Sequence, residues 1–457
     1  MAETAALESP GASATDLIYG LEDKPPLRET IFVALQHVFA VFVGIITPPL
    51  IICNALKLDR PNTVFLVSMS LFISGLATLL QSRGIGPIGS RLLSIQGTSF
   101  VFLGPIISTA GLSLSAGPSP QHALGIIFGL CLAGSSVAIL ISQCVRLASR
   151  IITPLVTGTV VTLIGLTLIE VGITTMGGGF DAKRDGSFGS PLNLALSGMV
   201  LATIVILNCS RMPQLRMMSV VLGLALGYLA AFLLGKVDLR GLRGLPLISI
   251  PVPLHYGLGF NAGAFIPFAF LYLITVIESI GDLTATSSLT NQPITGDLYF
   301  RRLRSGILAD GINSLLAAIF NSFPSTTFAQ NNGVIQLTGV GSRYVGTFIA
   351  VILMALGLFP AVGGLVQALP QAVLGGATIV MFGTVAIAGI RILAGVRMNR
   401  RCSLIIAVSI GLGLGVTFVP DILRSVPEFL RHTLSSGIAT GGMCALLLNT
   451  VLPGERI

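Results

Sequence analysis

The chain has 457 residues, 53% of them hydrophobic and 10% charged, whereas soluble domains carry about 25% charged residues; with a mean hydropathy of +0.91 it is an integral membrane protein and not a soluble domain. The net charge of +8 does not describe a nucleic-acid surface, because the basic residues are scattered at the ends of apolar runs and are not interleaved with aromatics. Six cysteines (Cys53, Cys131, Cys144, Cys209, Cys402, Cys444) lie in or beside apolar segments without CxxC pairing, and are expected to be packing residues and not disulfides or zinc ligands.

The first 27 residues are polar, lack an apolar h-region and include Glu3, Glu8, Asp16, Glu22 and Asp23. Residues 1–29 are therefore expected to be a cytoplasmic tail without a cleavable signal. A helix needs about 20 apolar residues to cross a hydrocarbon core of about 30 Å. Runs bounded by Pro, Gly and charge give fourteen candidate spans. The first seven cover approximately 30–53, 62–82, 92–113, 122–145, 151–173, 192–209 and 217–235. The second seven cover approximately 264–287, 303–320, 325–342, 345–366, 370–395, 402–420 and 433–452, leaving 453–457 as a C-terminal tail. With the N-terminus inside, most Lys and Arg, including Arg83, Arg91, Arg146, Arg150 and the Arg301, Arg302, Arg304 group, fall on inner joints. This obeys the positive-inside rule and places both termini in the cytoplasm.

Spans three and ten are unusual. They begin "RLLSIQGTSFVFLG" and "NSFPSTTFAQNNGVIQLTG", polar and β-branched around Gly, and become helix-like only later. Backbone at membrane depth must be buried in protein or line a cavity, and interrupted segments at corresponding places in two halves point to a transporter's binding site. Each is the third span of its seven. An odd number of spans per half also implies that the second half enters from the opposite side, as an inverted repeat.

At about 1.5 Å per helical residue, four segments bring their polar oddities to one depth: His37 in span one, Ser99 and Phe100 in span three, Glu278 in span eight, and Gln330 with Asn331 in span ten, whose helix is expected from about Asn332 to Arg343. Asp282 lies one turn below Glu278 on the same face, and Asp310 in span nine falls near the depth of Asp282. An ionisable group inside a membrane costs at least about 2.5 kcal/mol and defaults to a functional reading. For Asp282, Asp310 and His37 the alternative is a helix–helix hydrogen bond that only fixes packing. Glu170, near the outer end of span five, is expected to snorkel, and His122, His255 and His432 carry no assignment.

Gln330 offers a donor and an acceptor in one plane, a carboxylate can accept two ring N–H bonds, and a helix N-terminus behind Asn331 adds free N–H groups and partial positive charge. That chemistry suits a flat, uncharged or weakly acidic heterocycle. An intramembrane aspartyl protease would need a GxGD motif, but Ser279 occupies the required glycine position. No His is followed by Glu, which excludes an HExxH protease. The chain is not expected to be an enzyme.

The stretch "AQNNGVIQLTG" resembles the signature of the nucleobase-ascorbate transporter family, and "QH" in span one, "LLSIQGTSF", "ESIGDLTATS" and "LADGINS" also resemble that family, particularly its bacterial xanthine and uric acid permeases. The N-terminal "LIYGLEDKPPL" is most similar to the xanthine permeases. The resemblance covers nearly the whole chain. It implies an all-α polytopic protein of the bacterial cytoplasmic (inner) membrane, with fourteen spans in two inverted seven-span repeats and short strands in spans three and ten. A core domain would comprise 30–145 and 264–366, and a gate domain 151–235 and 370–452, usually as a homodimer. It further implies that Glu278 and Gln330 bind the base through side chains and that Phe100 and Ala329 contact it through backbone. Ser99 would tune purine choice, while Asp282, Asp310, His37 and Asn331 would serve proton coupling or shape the site. No cofactor or metal is implied. The substrate would be xanthine, with uric acid or a wider purine set as the alternative, carried by proton symport as the core moves past the gate. An anion transporter of the same general fold is the remaining rival.

Overall fold

Proline and short polar side chains punctuate the chain into helices. The computed structural model describes residues 17–115, 119–237, 245–426, 431 and 434–453; His432 and the outer parts of both expected tails lie outside the described residues. Helix α1 (Leu27–Ala55) follows two prolines, and α2 (Arg60–Arg83) is capped by the Asp59 side chain with Pro61 in its first turn. After the broken third segment, which ends in α3 (Leu103–Ser115), Ser119 caps α4 (Pro120–Gln143). Short α5 (Val145–Ile151) leads to α6 (Pro154–Met176), short α7 (Gly179–Asp185), α8 (Pro191–Asn208) and α9 (Pro213–Leu233). Proline suits these first turns because its missing N–H would have no intrahelical partner there.

In the second half, Asn261 caps α10 (Ala262–Leu289), followed by α11 (Gly296–Ile319), α12 (Gln330–Thr338), α13 (Arg343–Leu358), α14 (Pro360–Gln367), α15 (Gln371–Ala394), α16 (Arg400–Phe418) and α17 (Gly437–Val451). Among the described residues nine helices (α1, α2, α4, α6, α8, α9, α10, α15, α16) are long and apolar enough to cross a membrane. The pair α13 and α14 passes the same test together, bent by 75° at Pro360, which cannot continue the ladder from α13. The other stretches expected as spans depart from a simple apolar helix. The ninth is α11, whose start carries Arg301, Arg302 and Arg304; the fourteenth is the 15-residue α17; the third and tenth are interrupted by strands.

The strands β1 (Gln96–Thr98) and β2 (Ser325–Thr327) pair antiparallel with Gln96 opposite Thr327, Gly97 opposite Thr326 and Thr98 opposite Ser325. Around them pack α1, α2, α10 and α11. Elsewhere α6 and α15 meet backbone to backbone: a Cβ on Gly165 would lie 2.2 Å from Ala386 N, and one on Gly389 would lie 2.2 Å from Thr162 N. Small residues permit this approach where lipid supplies no hydrophobic drive.

Three expectations need correction. Cys53, Cys131 and Cys402 are buried packing residues, but Cys144 and Cys209 are exposed where α4 and α8 end. The tenth-segment helix begins at Gln330, not Asn332, and ends at Thr338 because Gly339 adopts a left-handed φ of 66° that closes it. Residues 17–26 are not a loose tail: Ile18 and Tyr19 pair with the joint that follows α12. Glu170 is exposed in the C-terminal half of α6.

Candidate functional site

Three residues of each broken segment have no helix to satisfy their backbone and are fully buried, so they satisfy one another. The pairing extends beyond the strands, with Phe328 N–H donating to Ile95 O (3.0 Å) and Ser99 N–H to Pro324 O (2.8 Å). Each strand then feeds a helix, β1 through the 3-10 turn Phe100–Phe102 into α3, and β2 through Phe328 and Ala329 into α12. Because the strands are antiparallel, the two half-helices leave the sheet in opposite directions, with their positive N-terminal ends toward it. Gly97 is required here: a Cβ would lie 2.5–2.8 Å from the Phe328 ring, and a Cβ on Gly44 of α1 would lie 2.6 Å from the same ring. Phe100 stacks on Phe328 (centroids 6.3 Å apart, 19° between planes) and receives Phe382 of α15 edge-on at 5.3 Å.

Helix α10 supplies the acids beside β2. Thr326 Oγ1 donates to Glu278 Oε2 at 3.4 Å, and Thr327 Oγ1 donates to Asp282 Oδ2 at 2.9 Å. On α11, Asp310 accepts from Ser279 Oγ and from Gln81 Nε2 (3.1 Å), while Gln81 Oε1 takes the Ser90 N–H at 2.8 Å. His37 Nδ1 lies 2.9 Å from Asn331 Oδ1, and Asn331 Nδ2 donates to Phe328 O at 3.2 Å. With its amide committed to Phe328, Asn331 presents oxygen to the ring, which assigns the His37 proton to Nδ1. Among the described residues, His37 Nε2 and Ser99 Oγ are buried without a hydrogen-bond partner.

Accessibility divides the anticipated residues in two. Glu278, Ala329 and Gln330 are half-buried, whereas His37, Asn331, Ser99, Phe100, Asp282 and Asp310 are buried. The buried acids and His37 each hold a hydrogen bond to another segment, as the packing alternative requires. Gln330 has no side-chain hydrogen bond among the described residues, so its planar amide is available. Together, Glu278 and Gln330 put a carboxyl and a carboxamide next to one buried sheet, with the start of α12 between strand and site.

Asp282 and Asp310 were anticipated by type, but their partners Thr327, Gln81 and Ser279 were not, nor was Phe382. Asn332 does not cap the helix it was expected to begin: Ala329 occupies the cap position without a side-chain bond, and Asn332 Oδ1 accepts from Thr286 Oγ1 at 2.8 Å, tying α12 to α10. A Cβ on Gly333 would meet open space, and Gly339 serves the left-handed turn. Among the described residues no group of three or more His, Cys, Asp or Glu is arranged to hold a metal ion.

Comparison with known proteins fits this geometry. A family model described as a permease family (Xan_ur_permease) matches residues 28–422. The chain is 50% identical over 443 residues to the xanthine permease XanP of Escherichia coli (strain K12), covering 97% of this chain and 96% of that protein. It is 45% identical over 442 residues to xanthine permease XanQ of the same organism, covering 97% and 95%, and 35% identical to a xanthine permease of Bacillus subtilis (strain 168), covering 93% of each. Among solved structures, the transmembrane domain of the cyanobacterial bicarbonate transporter BicA superposes with a TM-score of 0.61 at 16% identity, covering 91% of this chain and 99% of that domain. The overall structure of SLC26A9 gives a TM-score of 0.61 at 12% identity, covering 94% and 67%; at these identities the likeness is one of fold. The chain belongs to the permease family, in its nucleobase-ascorbate transporter branch, and is a multi-pass membrane transporter and not an enzyme.

Proposed function

We propose that this protein takes up purine nucleobases by proton symport, xanthine foremost, with uric acid or a wider purine set as the alternative. The observation that carries the reading is the half-buried pair Glu278 and Gln330 beside the β1–β2 sheet. A carboxylate accepting ring N–H bonds and a carboxamide matching an adjacent amide edge read a purine dione from two sides. Backbone at Ala329 and Phe100 borders the same place, and Ser99 lies one residue from Phe100. The identities of 50% and 45% to two xanthine permeases support the substrate class.

Fourteen spans in two inverted repeats are part of this proposal, and the packing of the helices supports them. α2 packs on α13 as α4 packs on α11, α8 on α9 as α16 on α17, and α1 on α12 as α3 on α10. Those are the exchanges made by superposing spans one to seven on spans eight to fourteen. In this arrangement spans one to four and eight to eleven form a core carrying the site, and the remaining spans form a gate that also supplies a homodimer contact. Movement of the core past the gate, elevator-fashion, exposes the site alternately to each side. Glu278 couples proton to substrate, while Asp282, Asp310, His37 and Asn331 hold the elements that present it. The protein acts in the bacterial inner membrane with both termini cytoplasmic.

The fold alone also suits an anion carrier, given its likeness to a bicarbonate transporter. Thermal unfolding of the detergent-solubilised protein separates the two. Xanthine should raise the melting temperature while sulfate and bicarbonate leave it unchanged; a shift with the anions and none with xanthine would reject the purine reading.

A further inference from the structure

The segment 17–23 makes an ordered set of bonds that the transport reading does not use. Ile18 and Tyr19 N–H both donate to Gly339 O (2.8 and 3.2 Å), Gly341 N–H returns to Tyr19 O (2.9 Å), and Arg343 N–H donates to Leu21 O (3.0 Å), a parallel pairing centred on Tyr19 and Val340. Side chains reinforce it: Arg343 donates through Nε and Nη2 to Glu22 Oε2 (2.9 and 2.6 Å), and Ser342 Oγ donates to Asp23 O (2.5 Å). Leu21 is 3% exposed and anchors the segment in the core. The residues gripped, Gly339 to Arg343, are the joint immediately after α12. Their peptide groups find partners in this segment between the end of α12 and the first residue of α13, Arg343.

The grip closes a loop. Chain 17–23 runs through Pro25 and Pro26 into α1, and ten residues into that helix His37 bonds Asn331 at the opposite end of α12. The half-helix is nine residues, about 13 Å, long. One continuous stretch of chain therefore holds it at both ends, at Asn331 by a side chain and at Gly339–Arg343 by backbone. A helix this short is not stable by itself, so its axis and register depend on what fixes its ends.

We infer that residues 17–23 are a positioning strap that sets α12 against α1, and thereby aims Gln330, and that the strap remains attached while the protein works. The α12 part of this stands on the contacts above; the effect on substrate rests on the role proposed for Gln330. The exposed Glu22–Arg343 pair contributes little by itself in water, so the backbone pairing and Leu21 are the parts to perturb.

Leu21→Ala in the full-length protein removes the anchor. Amide exchange in residues 334–343 of the purified protein should then quicken by about tenfold or more, as local opening becomes easier. In cells, KM for xanthine should rise by about tenfold, since displacing a binding group by a fraction of an ångström is enough for that, with the maximal rate per transporter in the membrane within about twofold of wild type. Tyr19→Cys with Val340→Cys places two thiols on paired strands at a separation a disulfide can span. Oxidising that pair in the Leu21→Ala background should slow exchange and restore KM, with each single cysteine variant as control. Unchanged exchange in Leu21→Ala overturns the strap whatever uptake shows. Less protein in the membrane with unaltered KM reduces it to a folding anchor and overturns the positioning role, and uptake stopped by the oxidised pair in an otherwise wild-type chain shows that the strap must open. Absence of xanthine uptake in the wild type would instead reject the substrate, and exchange alone would decide the strap.

Discussion

Alanine in place of Gly97 tests how tightly the crossed strands set the site. The new Cβ would lie 2.5 Å from Phe328 Cζ and 2.8 Å from both Cε atoms. The ring is also close to Gly44, where a Cβ would lie 2.6 Å away, and it stacks on Phe100. Gly97 itself is fixed by its pairing with Thr326, so either β1 lifts from β2 or Phe328 tilts and carries Ala329 and Gln330 with it. Overpacking of this kind costs about 1–3 kcal/mol, and if it is expressed in binding, the dissociation constant for xanthine rises by about 5- to 150-fold. Binding of radiolabelled xanthine to purified protein measures this, with the melting temperature recorded alongside. Phe328→Leu in the same chain makes room for the methyl and should recover much of the loss. Wild-type affinity and melting temperature in the Gly97→Ala protein would refute the claim that the ring and strand are close-packed behind the site.

Gln330→Ala removes an amide with no partner among the described residues, so the protein should reach the membrane in normal amount while xanthine binding weakens by about 1–3 kcal/mol, the cost of leaving ligand groups unpaired; unchanged affinity in a radioligand assay would make the carboxamide structural. His37→Ala strands Asn331 Oδ1 in a residue that is 1% exposed, and a double-mutant cycle with Asn331→Ala, read by melting in detergent, should return a coupling of about 0.5–3 kcal/mol. Additivity of the two would show the bond to be idle. Thr327→Val keeps shape but deprives Asp282 of the 2.9 Å donor, which should lower stability by about 1–3 kcal/mol; Thr327→Ser, which keeps the hydroxyl, should stay close to wild type.

Interrupted spans were legible because "QGT" and "STT" put polar and β-branched residues where a membrane helix would be apolar. That the two strands pair was not legible from periodicity, since three residues are too few to show an alternation and the register joins positions far apart in the chain. The acids announced themselves by being ionisable at membrane depth. Their partners did not: a hydroxyl such as Ser279 or Thr327 is an ordinary residue in a membrane helix or strand until the partner helix is known. Asn332 shows the same limit, its carboxamide conspicuous but its bond to Thr286 hidden in tertiary structure. Residues 17–23 were read as tail along with the polar, acidic stretch before them, because Leu17, Ile18, Tyr19 and Leu21 are too few to make a span; only backbone pairing, to which composition is blind, distinguishes a strap. The start of α12 was misjudged by two residues because Asn331 is a weak helix former held there by its contact with His37, and helix ends are the least legible part of a helix.

Proton-driven uptake is the central claim, and accumulation of radiolabelled xanthine in cells lacking their own purine permeases tests it most directly, with an imposed pH gradient and Glu278→Gln measured beside the wild type. The wild type should concentrate xanthine only while the gradient is present, and Glu278→Gln, at equal amount in the membrane, should lose that accumulation. Gradient-dependent accumulation by Glu278→Gln at the wild-type level would contradict the role given to this carboxyl.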